Sequence, residues 1–227
     1  MPETVKLRAR DAMRRELANA ALDVVLDHGF DALTADDIAA AIGEHLAGSE
    51  GSFAARMTDR ARQLGMRSTT FRNASGLPDG GQVTTARDMA ILGRAIQDRF
   101  PHYFHYFKTS SFTYKGTKIG NHNRLLGRYS GVDGIKTGYI RASGFNLVTS
   151  VNQSNRRVVA VVLGGKTGSA RDQRMLELLK KYVPKASTGP QVIGRILPGG
   201  APDVALIPTP RLRPDGSDQI QTGTVLA

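Results

Sequence analysis

Two β-rich runs, Phe145–Val151 and Arg157–Leu163, are separated by the turn-forming stretch Asn152–Asn155. Dense β-branched and apolar side chains favour extended backbone, and a short Asn/Ser break between such runs reads as an antiparallel hairpin. A lone two-stranded ribbon is marginal in water, so a further layer must cover its apolar side. The chain supplies one at once: Ala170–Tyr182 carries Met175, Leu176, Leu178 and Leu179 at helical spacing. The expected class is α+β, an antiparallel sheet flanked by helices.

Upstream, Ser52–Gly65 reads as a helix through Phe53, Met57, Ala61 and Leu64, and Gly65 ends it. A turn-rich loop, Phe71–Asp79, precedes a helix that Thr85 is placed to cap, with Met89, Leu92 and Ile96 on its apolar side. The aromatic stretch Tyr103, Phe104, Tyr106, Phe107, Phe112 and Tyr114, near-alternating around Gly116, reads as an irregular hairpin. His102 and His105 stand among these aromatics, where packing is the expected role and a metal site is not. Lys136-Thr137-Gly138 recurs as Lys166-Thr167-Gly168, and the second copy reads as a strand-to-helix turn.

The two ends differ from this middle. From Arg10 to His28, apolar residues fall at helical spacing and Gly29 follows; Thr34 then caps a second helix through Ile38–Ile42, which meets Gly43. This order resembles the start of a TetR-type repressor's helix-turn-helix domain, and 1–37 is taken as that segment. A recognition helix should come next, with basic groove-contacting residues. Instead Glu44–Glu50 stands there, with no Arg or Lys before Arg56, so nucleic acid is not the expected partner. Seven of the ten prolines lie between Pro184 and Pro214, so 186–227 reads as a Pro/Gly-rich disordered tail.

Of the 227 residues, 31 are Lys or Arg and 20 Asp or Glu, a net charge of +11. Residues 1–43 hold five basic against eight acidic groups, 44–185 hold 23 against nine, and 186–227 three of each. The positive charge therefore belongs to the middle and not to the repressor-like helices. No cysteine is present, which excludes disulfides, thiolate metal sites and thiol nucleophiles. No apolar run approaches the roughly 20 residues of a membrane span. The region after Met1 shows no signal-peptide pattern, so the expected location is cytoplasmic if that start is genuine.

Four blocks then occur in order: Asn73-Ala74-Ser75-Gly76-Leu77-Pro78-Asp79, Thr84-Thr85-Ala86-Arg87-Asp88-Met89-Ala90, Asn121-His122-Asn123-Arg124-Leu125-Leu126 and Val132-Asp133-Gly134-Ile135-Lys136-Thr137-Gly138. Together they resemble the serine-type D-alanyl-D-alanine carboxypeptidases, the low-molecular-mass penicillin-binding proteins, over 38–185. The resemblance implies part of a β-lactamase/transpeptidase-like fold, with three strands of its central sheet. It implies peptidoglycan stem peptides and β-lactams as ligands, an acyl-enzyme mechanism, no cofactor and no metal, and a family home in the periplasm or cell envelope. It places Lys136 and Thr137 at the substrate's terminal carboxylate, and Gly138 where substrate approaches the strand. The Tyr139 N–H becomes an oxyanion donor, and Arg171 a carboxylate-holding guanidinium. The plain alternative for Lys136 and Arg171 is solvated surface charge.

The chemistry also needs Ser-x-x-Lys and a Ser-x-Asn-type motif. The second falls on Thr34-Ala35-Asp36, which keeps a hydroxyl but puts a carboxylate where an amide donor belongs. The first is absent: the residues three before the nine lysines are Glu3, His105, Phe112, Lys115, Asp133, Leu163, Glu177, Leu178 and Tyr182. The chain is therefore expected to be catalytically inactive alone. The other expectations to weigh are a TetR-like regulator and a non-catalytic muropeptide binder.

Overall fold

The computed structural model describes residues 34–188. These form two compact units, one of residues 34–60 and 70–82, the other of residues 61–69 and 83–188. The repressor-like helix ending near His28, and the tail from residue 189 onward, lie outside the described residues.

In the first unit, α1 (Ala35–Ala47) opens on Thr34 in extended backbone. The Thr34 hydroxyl accepts the Asp37 N–H at 3.2 Å, while the Asp37 carboxylate accepts the Thr34 N–H at 2.9 Å. This reciprocal box satisfies two of the amides that a helix start leaves without partners. The turn expected at Gly43 does not occur. The helix runs through it and stops at Gly48, whose φ of 82° suits the left-handed stop and whose N–H reaches the Glu44 carbonyl. Gly43 serves packing instead, since a Cβ there would lie 2.9 Å from Phe53 Cδ1 on α2 (Glu50–Gln63). With α1 continuous through Gly43, the break between the two helices falls at Gly48-Ser49 instead.

The second unit is a three-layer stack around a sheet of β3 (Val132–Ile140), β4 (Gly144–Gln153) and β5 (Arg156–Gly165), antiparallel in that order. Alternation along the strands sorts their side chains to two faces. Leu147 and Val151 of β4 and Val162 of β5 pack with Met175 and Leu179 of α5 (Gly168–Tyr182). On the other face, Val148 meets Ile135 and Phe104, with Val159, Val161, Met89 and Ile96 packed against them. Met89 and Ile96 belong to α3 (Ala86–Arg99), capped as expected by Thr85. Gly93 lets that helix lie close to the sheet, because a Cβ there would be 3.0 Å from both Ile135 and Val159.

The β4–β5 turn passes through Ser154 and Asn155 with φ of 50° and 57°, the left-handed pair that a tight hairpin needs. The aromatic stretch divides in two. Residues 101–108 form a short helix α4 (Pro101–Phe104) and a 3-10 turn (His105–Lys108), correcting the hairpin reading for this part. Pro101 starts the helix, and burial of Phe104 against Phe107 (ring centroids 5.5 Å apart) holds the two segments together. The hairpin itself is β1 (Ser111–Tyr114) with β2 (Thr117–Gly120), turning at Lys115-Gly116. His105 Nδ1 hydrogen-bonds the His102 carbonyl at 2.8 Å, and its ring stacks on Tyr106 at 4.1 Å.

Candidate functional site

Among the described residues, β3 pairs on one side only, with β4, so its other edge is open. Lys136-Thr137-Gly138-Tyr139 lies on that strand, opposite Val148, Leu147, Asn146 and Phe145 in turn. A Cβ built on Gly138 meets nothing within 4 Å, so the strand is accessible there. The Lys136 ammonium donates to the Thr137 carbonyl at 2.7 Å and so lies along the strand. The residue is exposed by surface area, yet desolvation by the surrounding protein holds its pKa below the ordinary lysine value. Tyr139 is 51% exposed, with its ring on Phe145 at 4.3 Å.

The strand reaches this position through a local irregularity. The β3–β4 register shifts between Val132 and Gly134. The Gly134 carbonyl accepts two buried side-chain donors, Asn123 Nδ2 at 3.0 Å and Thr149 Oγ1 at 2.6 Å. Ser150 donates to the Asp133 carboxylate beside it. Asn123 is itself fixed, its N–H on Asn121 Oδ1 and its own Oδ1 accepting the Leu125 N–H. A bulge adds a residue on one strand and so resets the facing of every later residue on it. These four side chains therefore set where Lys136 emerges.

Arg171 is 5% exposed, which rules out the solvated-charge reading for it. Its Nε and Nη2 bond Asp172 Oδ1 at 3.0 and 2.7 Å, and Nη1 reaches the Asn146 carbonyl at 3.2 Å. Asn146 stands opposite Gly138, so the guanidinium is tied to the strand beside Lys-Thr-Gly while already carrying a carboxylate of its own. Gly165 makes this close approach possible, because a Cβ there would meet Arg171 Cβ at 2.8 Å. The second triplet is a strand-to-helix turn, with Thr167 capping α5 through the Ala170 N–H at 3.0 Å.

Thr34 and Asp36 belong to the other unit, at the start of α1. The Thr34 hydroxyl donates to Asp37 Oδ2 at 2.7 Å, so its proton is already committed. Among the described residues no cluster of three His, Cys, Asp or Glu side chains suits a metal ion. Nor is any described helix long and apolar enough to cross a membrane.

Three of the four sequence blocks turn out to be structural knots. Asn73 Oδ1 accepts the Gly76 N–H and its amide donates to the Leu77 carbonyl, closing that loop. Asp88, 2% exposed, accepts the Ser68 N–H and the Thr69 hydroxyl at 2.8 and 2.7 Å. Asn123 clamps β3. Thr149, Ser150 and Asn146 escaped the sequence reading, since polar residues within a β-rich run carry no signal of what they bond.

The profile of the D-alanyl-D-alanine carboxypeptidase family matches residues 24–167, beginning inside the segment read as TetR-like and running through Lys-Thr-Gly. The D-alanyl-D-alanine carboxypeptidase DacC of Escherichia coli is 39% identical over 155 residues, 68% of this chain and 39% of that protein. DacF of Bacillus subtilis is 33% identical over 157 residues, 66% of this chain and 40% of that one. The chain thus spans about two fifths of the length of these curated relatives. Among solved structures, penicillin binding protein 5 of Haemophilus influenzae superimposes with a TM-score of 0.59 at 35% identity, covering 64% of this chain and 43% of that one. Penicillin-Binding Protein D2 of Listeria monocytogenes in its ampicillin-bound form gives 0.58 at 32%, covering 64% and 61%. With a profile matching most of its length and relatives this similar, the chain belongs to the D-alanyl-D-alanine carboxypeptidase family.

Proposed function

We propose that this chain supplies the substrate-aligning strand of a serine-type D-Ala-D-Ala carboxypeptidase, and that alone it recognises D-Ala-terminated peptides without forming an acyl-enzyme. The supporting observation is Lys136-Thr137-Gly138 on an open strand edge, held in register by the clamped Gly134 carbonyl. An extended peptide can add to such an edge through main-chain hydrogen bonds, and Gly138 leaves room for it. Lys136 supplies the positive charge for a terminal carboxylate, Thr137 a hydroxyl donor, and the Tyr139 N–H a donor for the scissile carbonyl oxygen. Arg171 supports the strand from beneath through Asn146.

Acyl transfer further requires a hydroxyl activated by a neighbouring base. No Ser or Thr precedes any lysine by three residues, and the Thr34 hydroxyl is spent on the capping box. The natural ligand is the peptidoglycan stem peptide, the setting is the cell envelope, and β-lactams bind at the same strand.

Two measurements test the parts separately. A fluorescent penicillin should leave no boil-resistant adduct, and a covalent band would overturn the reading that the nucleophile is missing. Calorimetry with a D-Ala-D-Ala peptide should show binding that Lys136→Ala removes, and a parent chain without affinity would overturn the recognition role.

A further inference from the structure

Near the start of β3, upstream of Lys-Thr-Gly, a cavity of about 310 Å³ opens within the unit of residues 61–69 and 83–188. Its walls come from Lys108 at the end of the 3-10 turn, from the turn that leads into β3 at Asp133, and from Asn152 near the end of β4. That volume falls at the lower end of the range for small-molecule sites.

Backbone contacts fix the frame. The Gly131 carbonyl accepts the Asn152 N–H at 2.8 Å, and the Tyr129 carbonyl accepts the Val132 N–H at 3.2 Å. Gly131 has a φ of 82°, and a Cβ there would lie 2.6 Å from the Asn152 carbonyl oxygen, so the turn closes on β4 only with glycine.

The β3 bulge aims a carboxylate into this corner. Val132 faces Val151 and Gly134 faces Ser150, so Asp133 is the added residue without a partner of its own across the strands. One of its carboxylate oxygens accepts the Ser150 hydroxyl. Ser150 and Asn152, two apart on β4, share a face with Val148, against which Phe107 packs beside Lys108. Asp133 and Lys108 thus come to the same side of the sheet, yet they form no ion pair. Among the described residues Lys108 has no carboxylate within 4.0 Å. The second Asp133 oxygen, the Ser130 hydroxyl and the Asn152 side-chain amide make no hydrogen bond to described residues either.

A cation and an anion that line one cavity without neutralising each other suit a ligand carrying both charges. Asp133 repels a simple anion, and Lys108 repels a simple cation. We propose that this cavity binds a small zwitterion of dipeptide size, with its ammonium on Asp133 and its carboxylate on Lys108. Ser130 and Asn152 serve as neutral hydrogen-bonding groups for the amide between them. The site is distinct from Lys-Thr-Gly, since Asp133 stands three residues before Lys136, about 10 Å along the strand. Its ligand differs as well, because it must present a free amino end.

The test is an NMR titration of the full chain with glycylglycine. Saturable shifts should appear at the amides of residues 129–133 and 152. N-acetyl-glycylglycine lacks the ammonium and glycylglycinamide lacks the carboxylate, and each should bind about tenfold more weakly or worse, the worth of one charge-assisted hydrogen bond. Lys108→Met removes an exposed side chain, and Asp133→Asn keeps an oxygen for Ser150; each should weaken glycylglycine binding to a similar degree. Lys136→Ala should leave it unchanged. Absence of saturable shifts, equal binding of the blocked forms, or indifference to both cavity variants would overturn the proposal. So would loss of binding in Lys136→Ala, which would put the ligand on the strand edge. An N-acylated D-Ala-D-Ala peptide has no ammonium for the cavity, so its binding reads the strand alone and the two sites can fail independently.

Discussion

Arg171 is where a structural role and a ligand-binding role make opposite predictions, and Asp172→Asn distinguishes them. The guanidinium is 5% exposed and its Nε and Nη2 both rest on Asp172 Oδ1. Removing the carboxylate charge leaves a buried cation with the Asn146 carbonyl and a neutral amide oxygen as its acceptors. Breaking a buried ion pair from one side costs about 3–5 kcal/mol. The amide retains one acceptor, so the lower end, about 3 kcal/mol, is expected. Urea unfolding followed by circular dichroism should show the midpoint falling with the slope unchanged.

The companion change Arg171→Met with Asp172→Leu removes both charges and should recover most of the loss, because burying neither ion avoids the desolvation cost. Arg171→Lys should fail to rescue, since an ammonium cannot span Asp172 and Asn146 as a planar fork does. A loss below about 1 kcal/mol for Asp172→Asn, the range of exposed pairs, would refute the reasoning and return Arg171 to the pool of cations free to take a substrate carboxylate.

The same geometry sets other outcomes. Thr149→Val leaves the Gly134 carbonyl with the Asn123 donor and should cost about 0.5–1.5 kcal/mol of unfolding free energy, measured in urea. Gly165→Ala forces a Cβ to 2.8 Å from Arg171 Cβ and should lower stability by about 1–3 kcal/mol, read as a drop in melting temperature. Thr34→Ala removes the capping box of α1 and should cost about 1 kcal/mol, with Thr34→Ser close to neutral. Lys136 has a lowered pKa in the folded chain, so the unfolded state binds more protons between that value and the ordinary lysine pKa. Stability carried by this group therefore rises with pH across that window, and the penalty is fully present below it. Lys136→Met should flatten the rise in urea midpoint on the alkaline side; an unchanged slope would show that Lys136 is not desolvated.

The hairpin, the caps and the sheet–helix layering were readable because each is local. Alternation at Phe145–Val151, the Asn152–Asn155 break and Thr85 ahead of α3 act over a few residues. Gly43 misled for a physical reason. In sequence it looks like a stop, but its lack of a side chain admits Phe53, a partner ten residues away that no local pattern announces. The aromatic stretch misled likewise, because Pro101 and burial of Phe104 decide for a helix where spacing alone suggested strand.

Motifs that carry chemistry and motifs that carry shape look alike in a sequence, and here shape accounts for most of them. Asn73, Asp88 and Asn123 end as turn closures, a buried anchor and a strand clamp. Lys136-Thr137-Gly138 lies on an open strand edge, with Lys136 and Gly138 exposed. A strand edge of this kind can be fully formed without a nucleophile, because what aligns it is Asn123 and Thr149 on Gly134, and both partners of that carbonyl lie within the described chain. Substrate alignment and nucleophilic attack are therefore separable properties. Under the proposed recognition role, weakening the clamp with Thr149→Val should loosen binding of a D-Ala-D-Ala peptide in calorimetry while Lys136 remains in place, and unchanged affinity would show that the clamp does not align the strand for a ligand.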